Sequence, residues 1–261
     1  NILNNASSLY YSFATWVYPS GSPTDPTDPS GNTILFSEGN DRWLEITLDD
    51  PVAGAVEGGK ALNIRVGVRN YYEVDGERKL ASTEFYNVES TTVIPYGQWS
   101  FVSCVYENGI IKLYYNGKAV SSSYIANIYY EQEYVDYMAA QGTPITGLDD
   151  ENHRGIPYGS LVPAPFNSYN QSFYVGASVW SRSLLYGKLD GMKLYSTNLS
   201  QEQVAALYNA TKAGYADGVT EYGNDGAEFK KDGTNPLLAL KGGNTYRDAA
   251  GKFGTAAIGL K

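Results

Sequence analysis

GQWSFVSCVYENGIIKLYYNGK, residues 97–118, reads as strand, turn, strand, turn. The runs WSFVSCVY and IIKLYY are rich in the β-branched and aromatic residues that suit a pleated, half-buried surface. Between and after them stand Glu107-Asn108-Gly109 and Asn116-Gly117. Asn and Gly tolerate positive φ, which a tight hairpin turn requires. Trp99, Val102 and Val105 are expected in the core. Cys104 lies in the apolar run and is expected to be a buried structural thiol, not a nucleophile.

The pattern extends in both directions. Upstream, LYYSFATWVYP (9–19) alternates and stops at Pro19. A Pro/Asp/Gly loop at 20–32 leads to two strands, TILFSEG and DRWLEITL, around Glu38-Gly39-Asn40-Asp41. After a Gly-rich loop at 49–60, ALNIRVGVRNYYEV and ERKLASTEFYNV form a hairpin about Asp75-Gly76. Downstream, residues 121–171 lack regular strand spacing and read as a loop insertion on one face, in which Tyr130, Tyr134 and Met138 fall at helical spacing. Strands resume with SFYVGASVW and LLYGKLDGMKLYS, where Leu189 and Met192 flank a turn-like Asp190-Gly191. LSQEQVAALYNATKAG then gives one short helix, with Ser200 as N-cap, Gln203 closing a capping box and Gly214 ending it.

The composition agrees. The chain has 261 residues with 24 Tyr, 28 Gly and 11 Pro, which suits many short strands joined by turns. The net charge of −9 and the lack of a basic patch argue against nucleic acid as a partner. No run approaches a membrane span. One cysteine excludes an internal disulfide. The sequence opens at Asn1 without Met, which reads as a processed or excised segment. The expected fold is all-β: a single domain over 1–261, a two-sheet antiparallel jelly-roll-like sandwich with one short helix in its C-terminal half and the long insertion.

Three blocks in this order, SFATWVYPSG, residues 97–118, and FYVGAS…YGKLDGMKLYSTNLSQEQVAALY (173–208), together resemble the laminin-G-like/concanavalin-A-like lectin and glucanase superfamily in its bacterial or archaeal surface form. The resemblance implies an extracellular or cell-surface module that binds a glycan or a surface protein. Relatives usually open with a strand that this chain lacks before Leu9. The end of the chain, YRDAAGKFGTAAIGLK, looks like that opening. Residues 244–261 therefore read as a terminal strand that folds back, belongs to a tandem array, or is exchanged with a neighbouring copy. The last case makes a self-assembling filament or surface-layer subunit the alternative function.

The resemblance also implies a structural Ca²⁺ near Asp190 and Asp248, which occupy the family's acidic positions. It implies a glycan surface built from exposed aromatics, for which Tyr129, Tyr130, Tyr134, Tyr158 and Trp180 are the candidates. The competing role for the tyrosines is to pin the insertion to the sandwich. Glycoside hydrolases on this fold carry E-x-D-x-E on one strand, and Glu73-Val74-Asp75-Gly76-Glu77 has that spacing. Asp-Gly at its centre favours a turn that sends Glu73 and Glu77 onto opposing strands, so no catalytic residue is expected, and a glycoside hydrolase acting through Glu73 and Glu77 is the further alternative. His153, the one histidine, is read as an exposed loop residue. Asn5, Asn170, Asn198 and Asn209 begin N-x-S/T sequons.

Overall fold

The structure is a computed structural model and describes residues 10–20, 32–39, 41–50, 58–156, 172–177, 185–215, 227–228 and 238–240. Its strands are β1 (Tyr10–Pro19), β2 (Asn32–Gly39), β3 (Arg42–Asp49), β4 (Gly59–Val74), β5 (Glu77–Pro95), β6 (Ser100–Glu107), β7 (Ile110–Tyr115), β8 (Lys118–Ala119), β9 (Ser122–Tyr130), β10 (His153–Ile156), β11 (Ser172–Val175), β12 (Gly187–Tyr195), β13 (Ala227–Glu228) and β14 (Leu238–Leu240). Helix α1 (Gln132–Ala140) lies between β9 and β10, and α2 (Gln201–Thr211) follows β12.

Two antiparallel sheets face each other. The first runs β13-β14-β12-β1-β6-β7-β8 and the second β10-β9-β5-β4-β3-β2-β11. The expected sandwich is thus present. Its turns follow from sequence: Asp75, Asn108 and Asn116 adopt φ of 52°, 45° and 48°, each followed by a positive-φ glycine. Strand alternation then fills the interior. Tyr11, Phe13 and Val17 of β1 and Val102, Cys104 and Tyr106 of β6 meet Leu44, Ile46, Ile64, Val66 and Val88 of the second sheet.

The other face of the first sheet is buried too. Ala14, Trp16, Phe101, Val105, Tyr114 and Tyr195 pack against Leu199, Val204 and Tyr215. Trp99, Val102 and Val105 therefore do not share one core: Val102 faces the second sheet, while Val105 and the partly buried Trp99 belong to the layer under α2. The reason is parity, since residues three apart on a strand point to opposite faces. Helix α2 starts as its sequence specifies, with Ser200 and Gln203 forming a reciprocal capping box.

Trp16 fastens this layer. Its indole stacks on Tyr215 with centroids 4.1 Å apart, and Nε1 donates to Thr211 Oγ1 at 2.9 Å. Asp190-Gly191 is not a turn between strands but an irregularity inside β12, opposite the register shift between Ala14 and Trp16. Gly191 takes φ 59° there.

The stretch 121–171 also differs from a loop insertion throughout. It begins with β9, a full strand between β5 and β10. Its alternation is hidden because the outward positions Ile125 and Tyr129 are themselves apolar or aromatic. Segment 244–261 lies outside the described residues. Upstream of it, β14 pairs with β12 of the same chain at Lys193↔Ala239 and Leu194↔Leu238. Among the described residues no helix is long and apolar enough to cross a membrane, a statement that does not extend to β-barrels.

Two outcomes follow from this packing. Trp16→Ala removes the ring that joins α2 to the first sheet and is expected to cost about 3–5 kcal/mol of unfolding free energy in urea titration. Burial raises the phenol pKa of Tyr11, Tyr106 and Tyr195, the last to about 12, and moves the Cys104 thiol to about 12. These groups hold their protons more tightly when folded. Their stabilisation is complete below the unfolded values, about 8.5 for Cys and about 10 for Tyr, and is lost as pH rises toward the folded ones. The urea midpoint should fall between about pH 8 and about pH 11. A flat profile would contradict this assignment of buried groups.

Candidate functional site

With the first sheet buried on both sides, the outer face of the second sheet becomes the informative surface. Its side chains are set by alternation. In β4, Leu62, Ile64, Val66 and Val68 face the core, so Asn63, Arg65, Gly67 and Arg69 face outward. In β3 the outward residues are Trp43, Glu45 and Thr47, in β5 Phe85 and Asn87, and in β9 Asn127 and Tyr129.

Register aligns these into two rows across the strands. The first row is aromatic. Trp43 pairs with Gly67, and Gly67 with Phe85. The indole lies across the Gly67 backbone so closely that a Cβ there would meet ring carbons at 1.9 Å. Phe85 meets Trp43 edge-on at 5.7 Å and Tyr129 edge-on at 5.8 Å. Tyr129 in turn stacks on the His153 imidazole at 4.7 Å and 18°. The Arg69 guanidinium sits 5.4 Å from the Trp43 ring.

The second row is polar and linked from strand to strand. Thr33 donates to Glu45 Oε1 at 3.2 Å. Arg65 approaches Glu45 Oε2 at 3.8 Å, and its Nε donates to Asn87 Oδ1 at 3.0 Å. Glu45 is nearly buried while 40% of the Arg65 side chain is exposed, so the guanidinium is anchored from below and presented above. Between the rows lies an open depression of ≈ 410 Å³ lined by Arg65, Phe85, Asn87, Asn127 and Tyr129.

One edge of this depression is backed by His153. Nδ1 is 2.5 Å from Asp149 Oδ2, and Nε2 is 2.6 Å from Asn127 Oδ1. The imidazole is 22% exposed and opens β10, so it is not the free loop residue that sequence suggested. Desolvation opposes ionisation of Asp149. The hydrogen bond from His153, with those from the backbone N–H groups of Glu151 and His153, outweighs it and holds the carboxyl below its ordinary range.

The sequence candidates separate in space. Tyr129 is on the depression. Tyr130 and Tyr134 are half-buried elsewhere: Tyr134 packs on Tyr72 at 4.9 Å and stacks with Tyr130 at 6.3 Å, while Tyr137 joins Tyr72 at 5.0 Å. With the ion pair Lys79–Glu133 at 3.1 Å, these rings hold α1 to the long β4–β5 hairpin. Tyr158 and Trp180 lie outside the described residues. Glu73 and Glu77 flank the Asp75-Gly76 turn, with Glu73 opposite Arg78 and Glu77 opposite Val74, and do not share a strand.

Asp190 is 7% exposed, and its oxygens accept from Gly191 N–H at 2.7 Å and from the Tyr215 hydroxyl at 2.8 Å. Asp248, its expected partner in binding calcium, lies outside the described residues. Ca²⁺ takes six to eight oxygens. Among the described residues no group of three His, Cys, Asp or Glu is placed to hold a metal.

The sequence reading did not single out Arg65, Phe85, Asn87 or Asn127, which line the depression, and it read His153 as an exposed loop residue. The available signal was Gly67, an isolated glycine within a strand, which marks a close approach to the backbone. Gly67→Ala should displace the Trp43 indole, changing near-UV circular dichroism and Trp fluorescence while far-UV dichroism stays native. Unchanged aromatic spectra would refute the close packing.

A family model described as the concanavalin A-like lectin/glucanases superfamily matches residues 3–133, half of the chain. No curated protein matches the sequence. Among solved structures, a heptameric SAP-like pentraxin from Limulus polyphemus is 13% identical with a TM-score of 0.37, over 76% of this chain and 69% of that one. Domain 4 of an extracellular arabinanase from Geobacillus stearothermophilus, in complex with arabinotriose, is 20% identical with a TM-score of 0.37, over 76% and 66%. A protein from Bacteroides ovatus described as carbohydrate-binding is 15% identical with a TM-score of 0.37, over 75% of this chain and 40% of that one. Likeness at these identities concerns the fold alone.

Proposed function

From the premise that the chain belongs to the concanavalin A-like lectin/glucanase superfamily, we propose that it is a non-catalytic glycan-binding module of the cell exterior, and that it takes its ligand in the depression on the second sheet. The observation that carries this reading is the lining itself: two aromatic rings, two amides and an anchored guanidinium on one open surface. A sugar ring has an apolar C–H face and a rim of hydroxyls. Phe85 and Tyr129 suit the face, and Asn87, Asn127 and Arg65 suit the rim. The lining comes from three adjacent strands, which position side chains more firmly than loops do.

The depression is open, so it fits part of an oligosaccharide or a chain end resting on the surface better than a small molecule needing enclosure. Within it, Arg65 is already held in place by Glu45 and Asn87. Less ordering therefore remains to be done when a ligand binds.

The test is a glycan array probed with the labelled full chain. A consistent signal for one saccharide class is expected. Asn87→Ala and Tyr129→Ala should each weaken binding by about tenfold, with far-UV dichroism unchanged. A signal that survives both substitutions would move the site elsewhere, and silence across the array would refute the reading.

A further inference from the structure

His153 meets an acceptor at each ring nitrogen. The Asp149 carboxylate faces Nδ1, and the carbonyl oxygen of the Asn127 side chain faces Nε2. Two acceptors on one imidazole fit the protonated ring, in which both nitrogens donate. Asn127 lines the depression, and its oxygen is engaged by His153. Its NH₂ group is therefore the end left for a ligand. Asn87 is arranged likewise, with its oxygen accepting from Arg65 Nε. In this state the polar lining offers N–H donors from Asn87, Asn127 and Arg65.

Loss of one proton changes this. Asp149 retains the proton on Nδ1, because a carboxylate can only accept. Nε2 then carries a lone pair opposite the Asn127 oxygen, and two acceptors 2.6 Å apart repel. The simplest relief is a half-turn of the Asn127 amide, which brings its NH₂ to Nε2 and turns its oxygen toward the depression. We propose that His153 is a positioning residue of the glycan site, and that its protonation decides whether Asn127 presents a donor or an acceptor to the ligand.

The inference rests on the glycan reading only for the ligand; the coupling between His153 and Asn127 stands on geometry. Among the described residues, Asp149 from the turn before β10 and the Tyr129 ring from β9 are the titratable groups in contact with the imidazole. On the side of α1, the turn is tied by neutral groups, with Asn152 Nδ2 donating to Gln132 Oε1 at 2.8 Å. Asp149 Oδ1 accepts from the Glu151 and His153 backbone N–H groups, so the carboxylate stays in place when the ring loses its charge.

The chain has one histidine, so its titration can be followed by NMR without ambiguity. With the isotopically labelled full chain, the Asn127 side-chain amide resonances should move with the same midpoint as the His153 ring. On the glycan array, saccharides whose contact group is an acceptor should bind about 3- to 10-fold more tightly at about pH 5 than at about pH 8. His153→Gln should remove that dependence. Asn127 resonances that stay still through the titration would overturn the proposal, as would array binding equal at the two pH values. Coupled NMR titrations with no glycan bound at either pH would uphold the His153–Asn127 coupling and defeat the glycan reading.

Discussion

The stacking of Trp16 on Tyr215 is the contact that closes the outer face of the first sheet. A β-sandwich has two outer faces, and an antiparallel sheet tolerates water on one of its sides. Here Trp16, with Phe101 and Tyr208 around it, draws α2 onto the outside of the first sheet. Tyr215, which closes that stack, also donates to the Asp190 carboxylate in the bulge of β12. Helix, bulge and central strand are thereby one unit. The second sheet keeps its outer side for a surface whose rings and amides are held by one another.

Much of the scaffold was legible. Asp75-Gly76, Asn108-Gly109 and Asn116-Gly117 announce their hairpins because positive φ excludes most other residue pairs. Ser200 and Gln203 announce α2 through a local exchange of hydrogen bonds. Such features are determined within a few residues of chain. The bulge at Gly191 was mistaken for a turn because both use glycine with positive φ, and only pairing with β1 tells them apart.

The site was far less legible. Arg65, Asn87 and Asn127 are ordinary outward residues of their own strands, and nothing local marks them. They become a surface only through the registers Arg65↔Asn87 and Phe85↔Asn127. His153 looked like a solvated loop residue because Asp149 is its only near neighbour in sequence among its partners. Asn127 and Tyr129 reach it through the pairing of β9 with β10. Of the tyrosines singled out in the sequence, Tyr129 lines the depression, whereas Tyr130 and Tyr134 enter the ring contacts around α1. Adjacent strand residues face opposite ways, and the role of Tyr134 depends on Tyr72, a residue of the distant hairpin.

The connectivity of β1 has a kinetic consequence. Its hydrogen bonds reach across 90 residues to β6, as from Ser103 to Phe13, and across 175 to β12, as from Thr15 to Asp190. Hairpins such as β4–β5 and β6–β7 close over short loops and can form early. β1 cannot be paired along both edges until β12 is available, so it must wait with an apolar face and an open edge. Topologies dominated by such long-range pairs fold slowly and expose strand edges on the way. For this chain the vulnerable interval is the time between the emergence of β1 and the arrival of β12. Its output of folded molecules should therefore depend on the rate of synthesis more than on the stability of the finished sandwich.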